Sequence, residues 1–183
     1  MDDSKLDQRQ RIRLFPWLSV VIASLLVLVS AGAAAGATER FRDADDHEGF
    51  DIRRVEVRYG DRLTIRVAHD GEIGIGQKYK YWLDTDTHDP GPEYSFAIKP
   101  NSDYIRFRAV DGFKDTGTSV TSCGRRWGGA ADIFRPHRDV LAFVGARCFG
   151  SPDMIRVSVQ LVVDGPDDWA PGFHHFYARV ARY

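Results

Sequence analysis

The chain has 183 residues, of which 43% are hydrophobic and 12% aromatic, so its composition is that of one globular domain and excludes a disordered chain. Its formal net charge is −1; residues 1 to 37 carry +1 (four basic against three acidic side chains), which leaves −2 for the remainder. A near-neutral domain of mixed sign lacks the strongly basic surface that nucleic-acid binding requires, so we exclude nucleic acid as a partner.

The N-terminal residues contain the three parts of an export signal in the usual order. A basic start precedes an uncharged apolar run at residues 18 to 29, and a tract of small residues follows at 30 to 37. This order predicts a helical signal peptide over residues 1 to 37, removed after Ala35 or Ala37, and hence a secreted domain. The alternative is an uncleaved anchor with the domain outside, because the uncharged stretch is long enough to cross a bilayer. A membrane is a partner only in that case.

The next segment, residues 38 to 49, is acidic and has no apolar periodicity. We interpret it as a lead-in to the folded domain, which then covers residues 50 to 183. Asp43, Asp45, Asp46 and Glu48 are candidate calcium ligands here, because calcium prefers oxygen ligands such as carboxylates. A solvated acidic segment without a metal is the alternative, and the sequence indicates no other cofactor.

Two alternating stretches, residues 52 to 59 and 63 to 67, predict the first strands of the domain. A two-residue loop between them would put their apolar residues on opposite faces of the sheet. A three-residue loop over residues 60 to 62 instead places Tyr59 opposite Leu63 and gives one apolar face. A bulge, or strands that diverge into two sheets, would satisfy the same pattern.

The strand predicted over residues 77 to 83 puts Trp82 on the same face as two lysines. A large aromatic side chain on a charged face is a candidate contact, because rigid rings stack on sugars and anchor protein interfaces. Trp127 and Trp169, which lie in predicted loops, are further candidates of this kind. The alternative for each tryptophan is a cover over the edge of the core.

A turn-rich loop at residues 84 to 92 concentrates side-chain oxygens from Asp84, Asp86 and Asp89. Alternate acidic residues in a loop are typical of calcium coordination, although the glycine and the distal glutamate of an EF-hand are absent. Asp, Pro and Gly are also the residues of tight turns. The loop is therefore a second candidate calcium site, with turn formation as the alternative.

Further patterned stretches predict strands at residues 93 to 99, 104 to 110, 140 to 144 and 154 to 163, and a last strand within 173 to 183. Cys123 and Cys148 lie in the exported part, where an oxidising environment favours a disulfide between them. About eight short strands separated by turn residues predict an all-β fold, an antiparallel and jelly-roll-like β-sandwich.

Four segments support a resemblance to known proteins: residues 43 to 67 (DADDHEGFDIRRVEVRYGDRLTIRV), 79 to 86 (YKYWLDTD), 147 to 159 (RCFGSPDMIRVSV) and 167 to 172 (DDWAPG). With them, residues 43 to 182 resemble a group of small secreted actinobacterial proteins of unassigned function. Their strand order is similar to that of family 9 carbohydrate-binding modules and DOMON-like domains. The resemblance implies an antiparallel β-sandwich that binds rather than catalyses; in the sugar-binding relatives, a pair of facing tryptophans holds the ligand.

Three hypotheses for the function follow. The first is a noncatalytic secreted or cell-surface binding module, with a polysaccharide as its partner. The second is a structural, envelope-associated protein whose partner is another protein. The third is a secreted hydrolase, which we place last because the sequence contains no GxSxG or HExxH motif and no candidate nucleophile.

Overall fold

The computed structural model describes residues 38–44, 46, 50–71, 77–100, 102, 104–121, 132–134 and 139–183. All of them belong to one of the two units into which the chain divides, Ala35–Tyr183. The predicted signal peptide, Asp45, Glu48, Cys123 and Trp127 lie outside the described residues. Within the described residues, no helix has the length and apolar character needed to cross a membrane.

Twelve strands and a 3₁₀ turn form the described part of the domain. In chain order the strands are β1 (Thr38–Arg42), β2 (Ile52–Tyr59), β3 (Arg62–His69), β4 (Lys78–Asp84), β5 (Tyr94–Ile98), β6 (Ile105–Ala109), β7 (Thr118–Ser119), β8 (Asp132–Phe134), β9 (Asp139–Gly145), β10 (Met154–Val162), β11 (Asp168–Ala170) and β12 (Val180–Ala181), and the 3₁₀ turn covers Ala146–Phe149.

The strands form two antiparallel sheets that pack together. The first sheet has the order β1-β2-β3-β9-β8, and the second has the order β11-β10-β4-β5-β6-β7, with β12 paired to the start of β10. The predicted all-β sandwich is therefore confirmed. The number of strands exceeds the predicted eight because several strands have only two or three residues, too few for an alternating pattern to be visible in the sequence.

The core lies between the inward faces of the two sheets. The first sheet contributes alternate residues of β2, β3 and β9, and the second contributes those of β4, β5 and β10. The predicted three-residue register of the opening strands is confirmed, because Tyr59 pairs with Leu63 and Val57 with Ile65. A register shift also lies between Ile52 and Arg54, at the start of β2.

Two predicted segments differ from the observed fold. The acidic lead-in begins with a strand, because residues 38 to 42 pair with the otherwise open edge of β2 and the Phe41 ring stacks on Tyr177 at 4.5 Å between centroids. The predicted last strand shrinks to Val180–Ala181, since the chain before it crosses the outer face of the second sheet and packs Phe176 against Phe113.

Cys148 is buried in the 3₁₀ turn, with 7% of its surface exposed. Because Cys123 lies outside the described residues, the disulfide between the two cysteines stays a prediction.

Candidate functional site

Asp84, the first candidate ligand in the loop at residues 84 to 92, is fully buried at the end of β4. It forms an ion pair with Arg156, its cross-strand neighbour on β10. Burial raises the pKa of the Asp84 carboxyl, and the Arg156 guanidinium acts in the opposite direction. The Asp84 carboxylate therefore joins two strands of the second sheet.

Asp86 and Asp89 hold the turns of the same loop. The Asp86 carboxylate accepts a hydrogen bond from the backbone N–H of His88 (2.8 Å), which lowers the pKa of the carboxyl. The Asp89 carboxylate accepts one from the backbone N–H of Gly91 (3.2 Å). These contacts are those of Asx turns, the alternative interpretation of this loop.

A different set of aspartates gathers at one edge of the sandwich, where β11 approaches the start of β2. The carboxylate oxygens of Asp46, Asp51 and Asp168 all lie within 4.8 Å of one another. Asp51 and Asp168 are each only 1% exposed, whereas Asp46 is exposed. Asp43 lies close enough to all three for their charges to act on its carboxyl. We call these four residues the aspartate cluster.

Side chains alternate between the two faces of β11, and Asp168 lies on the inward face, toward the aspartate cluster. Asp168 pairs with Leu161 and Ala170 with Val159, two inward-facing residues of β10, so Asp168 and Ala170 also face inward. The Asp168 carboxylate then accepts a hydrogen bond from the backbone N–H of Ile52 (2.6 Å) at the start of β2. This bond joins the edges of the two sheets.

Asp51 lies immediately before β2 and is held from two sides. Its carboxylate accepts a hydrogen bond from the backbone N–H of Asp46 (3.4 Å), which draws the chain before β2 against the edge of the sandwich. It also pairs with the Arg53 guanidinium (3.0 Å), and Arg53 reaches Asp70 as well (2.6 Å). One arginine therefore balances the charge of a cluster member and of a further aspartate.

Burial and like charges alter the pKa values of the groups in and around the cluster. The pKa of Asp43 rises to about 7, first through burial and then through the charges of the other cluster aspartates, of which Asp168 has the largest effect. The hydroxyls of Tyr79 and Tyr177 are buried and form no hydrogen bond with a described residue. Burial raises the pKa of both hydroxyls, and the charge of Asp168 adds to the increase.

Trp82 and Trp169, two of the three candidate contacts, meet on the outer face of the second sheet. Their rings stack with centroids 6.4 Å apart and planes 11° apart. Phe113, His174 and Phe176 complete this group, which we call the outer aromatic cluster. Because Trp82 is 1% exposed and Trp169 is 9% exposed, both mainly cover the sheet.

A cavity of about 510 Å³ adjoins both clusters. Its lining combines an aromatic part, Trp169 and Phe173, with two carboxylates, Asp46 and Asp167. Phe173 is 66% exposed, and the Asp167 carboxylate accepts a hydrogen bond from the side-chain amide of Gln160 (2.6 Å). Asp46 therefore belongs to the aspartate cluster and to the cavity wall.

The sequence predicted Asp43 and Asp46 as candidate ligands but missed Asp51 and Asp168. Asp51 directly precedes a strongly alternating strand, and Asp168 lies in a loop rich in Gly, Pro and Asp, where carboxylates are usual turn residues. The three-residue strand β11 is too short for its inward position to be visible in the sequence.

The chain matches no protein-family model and no curated protein.

Proposed function

We propose that the protein is a noncatalytic, secreted binding module that takes a carbohydrate in the cavity lined by Asp46, Asp167, Trp169 and Phe173. One observation carries the proposal, namely that a single open cavity combines aromatic surface with carboxylates. A sugar ring has an apolar C–H face that stacks on aromatic rings and hydroxyls that donate to carboxylates. The outward-facing Phe173 leaves the aromatic part accessible to such a ligand.

The arrangement of the carboxylates supports binding in preference to hydrolysis. A glycosidase needs two carboxyl groups on either side of the scissile bond, about 5–9.5 Å apart and within reach of the substrate. One carboxylate oxygen from each of Asp46, Asp51 and Asp168 lies within 4.8 Å of the other two, and Asp51 and Asp168 are buried away from a substrate in the cavity. The secreted location rests on the N-terminal sequence pattern alone.

The test is a screen of the purified domain against soluble and insoluble polysaccharides, with variants that leave the core intact. We expect Asp167→Asn and Phe173→Ala each to weaken retention about tenfold, which corresponds to about 1.4 kcal/mol. Met154→Ala is the matched control, because Met154 is also an exposed apolar side chain (41%) but lies outside the cavity lining.

Two results contradict the proposal. One is a domain that binds no polysaccharide; the other is a ligand whose retention Asp167→Asn and Phe173→Ala leave unchanged. Capture of a protein from the cell envelope, weakened by the same two variants, would support the envelope-associated alternative instead.

A further inference from the structure

We infer that Asp46, Asp51 and Asp168 bind one calcium ion, which fastens the chain before β2 to the edge strand β11. Asp168 lies in β11 of the second sheet, whereas Asp46 and Asp51 lie in the chain just before β2 of the first sheet, and one carboxylate oxygen from each lies within 4.8 Å of the other two. Asp43 is the fourth carboxylate of the same cluster.

The spacing of the oxygens fits calcium. Calcium binds oxygens at about 2.3–2.6 Å, so three oxygens spaced evenly around one ion are about 4.0–4.5 Å apart. The three aspartate oxygens, which lie within 4.8 Å of one another, can therefore surround one calcium ion after small side-chain movements and without a rearrangement of the backbone. Magnesium is smaller, needs near-ideal octahedral geometry and keeps several of its waters, so a set of protein carboxylates suits it less well. A donor set of carboxylates alone also favours hard cations over zinc.

Buried polar groups beside the cluster supply a second, independent observation. The hydroxyls of Tyr79 and Tyr177 form no hydrogen bond with a described residue, although the two side chains are 0% and 7% exposed. One carboxylate oxygen of Asp43 is also buried without a hydrogen-bond partner among the described residues. Buried polar atoms in native proteins nearly always have a partner. A bound ion with coordinating water supplies these partners. The tyrosine hydroxyls can donate hydrogen bonds to the water, and the Asp43 oxygen can bind the ion or accept a hydrogen bond from the water.

Charge balance points the same way. Bringing several carboxylates together at a buried edge is unfavourable unless cations or protons offset their charge. The Arg53 guanidinium forms an ion pair with Asp51 and a second ion pair with Asp70. A divalent ion would offset two of the negative charges that Asp46, Asp51 and Asp168 bring together.

The ion would also stabilise the cavity, a consequence that rests on the proposed function. Asp46 lines the cavity, and its side chain is exposed. Coordination of Asp46 to an ion held by two buried aspartates fixes that part of the wall. Ligand binding in the cavity should therefore depend on calcium.

The direct test is calcium titration of the purified mature domain without carbohydrate. Binding is measured by calorimetry and by displacement of terbium, whose luminescence tryptophan sensitises. We expect one ion per chain. The melting temperature should rise by about 5–10 °C at a calcium concentration a hundred times the Kd, relative to the chelated protein. Asp46→Asn and Asp51→Asn should each weaken binding at least tenfold. Asp86→Asn, an acidic residue held in its own turn, is the matched control and should bind as the wild type does.

Asp46→Asn keeps the test decisive if Asp51→Asn fails to fold, because Asp46 is exposed. A wild-type domain that binds no calcium at millimolar concentration overturns the inference, and so does equal weakening by Asp86→Asn. Tighter binding of magnesium or zinc overturns the choice of ion. Because these measurements need no carbohydrate, their failure is distinct from failure of the proposed function. Calcium binding with calcium-independent polysaccharide retention would overturn only the link between the ion and the cavity.

Discussion

Two acidic regions of the molecule look alike in sequence and differ in structure. The loop at residues 84 to 92 has three aspartates close together in the chain, and each of them has a separate partner: a guanidinium for Asp84 and a backbone N–H for Asp86 and Asp89. The aspartate cluster draws residues from distant parts of the chain into one place, and Asp168 bonds to a residue 116 positions away. Acidic residues that are close together in the sequence can therefore have separate partners, whereas acidic residues far apart in the sequence can meet at one place.

The electrostatic consequences of the two arrangements are opposite. Hydrogen bonding from His88 lowers the pKa of Asp86, whereas burial and neighbouring carboxylates raise the pKa of Asp43 to about 7. No neighbouring carboxylate raises the pKa of Asp86, so Asp86 has no repulsion that a metal ion would relieve. Carboxylates that repel one another at a buried edge do gain from a metal ion, and this difference can be tested residue by residue.

The largest effect is expected from Asp84→Ala in the loop. The substitution leaves the Arg156 guanidinium without its partner; loss of one member of a buried pair typically costs about 3–5 kcal/mol. Because the Arg156 side chain is 26% exposed, we expect a smaller loss of about 2–3 kcal/mol in the free energy of unfolding, measured with urea. The loss should be equal in calcium and in chelator. A loss that calcium enlarges would make Asp84 part of an ion site and remove the difference between the two acidic regions.

The sequence predicted the strands with clear alternation, because side-chain periodicity is a local property. For β2 and β3 the alternation favoured a three-residue loop over a two-residue loop, with a bulge or a divergence into two sheets as alternatives, and the observed pairs Tyr59–Leu63 and Val57–Ile65 have the register of the three-residue loop. Strand β1 could not be predicted in this way. Its residues TERFR have no apolar alternation, and they form a strand because the edge of β2 is available to pair with them.

The candidate site depends on contacts between distant residues, which periodicity does not report. The alternation of side chains along β4 correctly placed Trp82 on the outer face of the strand. It could not show that Phe113 and Trp169 cover that face. In the same way, Asp168 occupies an inward position that normally holds an apolar residue. The approach of β11 to β2 explains that position, because the Asp168 carboxylate then accepts a hydrogen bond from the backbone N–H of Ile52.

A second variant in the loop separates turn formation from ion binding. The Glu93 carboxylate accepts hydrogen bonds from the hydroxyl of Thr85 (2.9 Å), from the backbone N–H of Thr85, and from the backbone N–H of Asp86 (3.2 Å). Glu93→Ala should therefore cost about 1–2 kcal/mol in the free energy of unfolding. Glu93→Gln keeps an acceptor oxygen and should cost less than half as much. Rescue of Glu93→Ala by calcium would contradict the view that hydrogen bonds alone hold this loop.

The pH dependence of stability should identify the aspartate cluster in the absence of calcium. Because the native pKa of Asp43 is about 7 and its ordinary value is 3.8, the folded state binds this proton more tightly than the unfolded state does. The contribution of Asp43 to stability should therefore fall as pH rises from about 4 to about 7. Because Asp43 is partly exposed, we expect a change of about 1 kcal/mol after allowing for solvent screening. Urea denaturation of the wild type and of Asp43→Asn in chelator, repeated across this pH range, measures the change in the free energy of unfolding. Identical pH profiles for the two proteins would contradict a raised pKa for Asp43.

The smallest effect is expected from the double variant Asp86→Asn with Asp89→Asn. Both side chains are exposed, and each accepts a hydrogen bond from a backbone N–H two residues further along the chain. An asparagine carbonyl oxygen accepts the same bond and is an ordinary residue at such turns. The urea midpoint and the calcium affinity should therefore both match those of the wild type. Weaker calcium binding by this variant would move the ion site to the loop, because two exposed aspartates with local partners affect a distant cluster only if the ion is bound beside them.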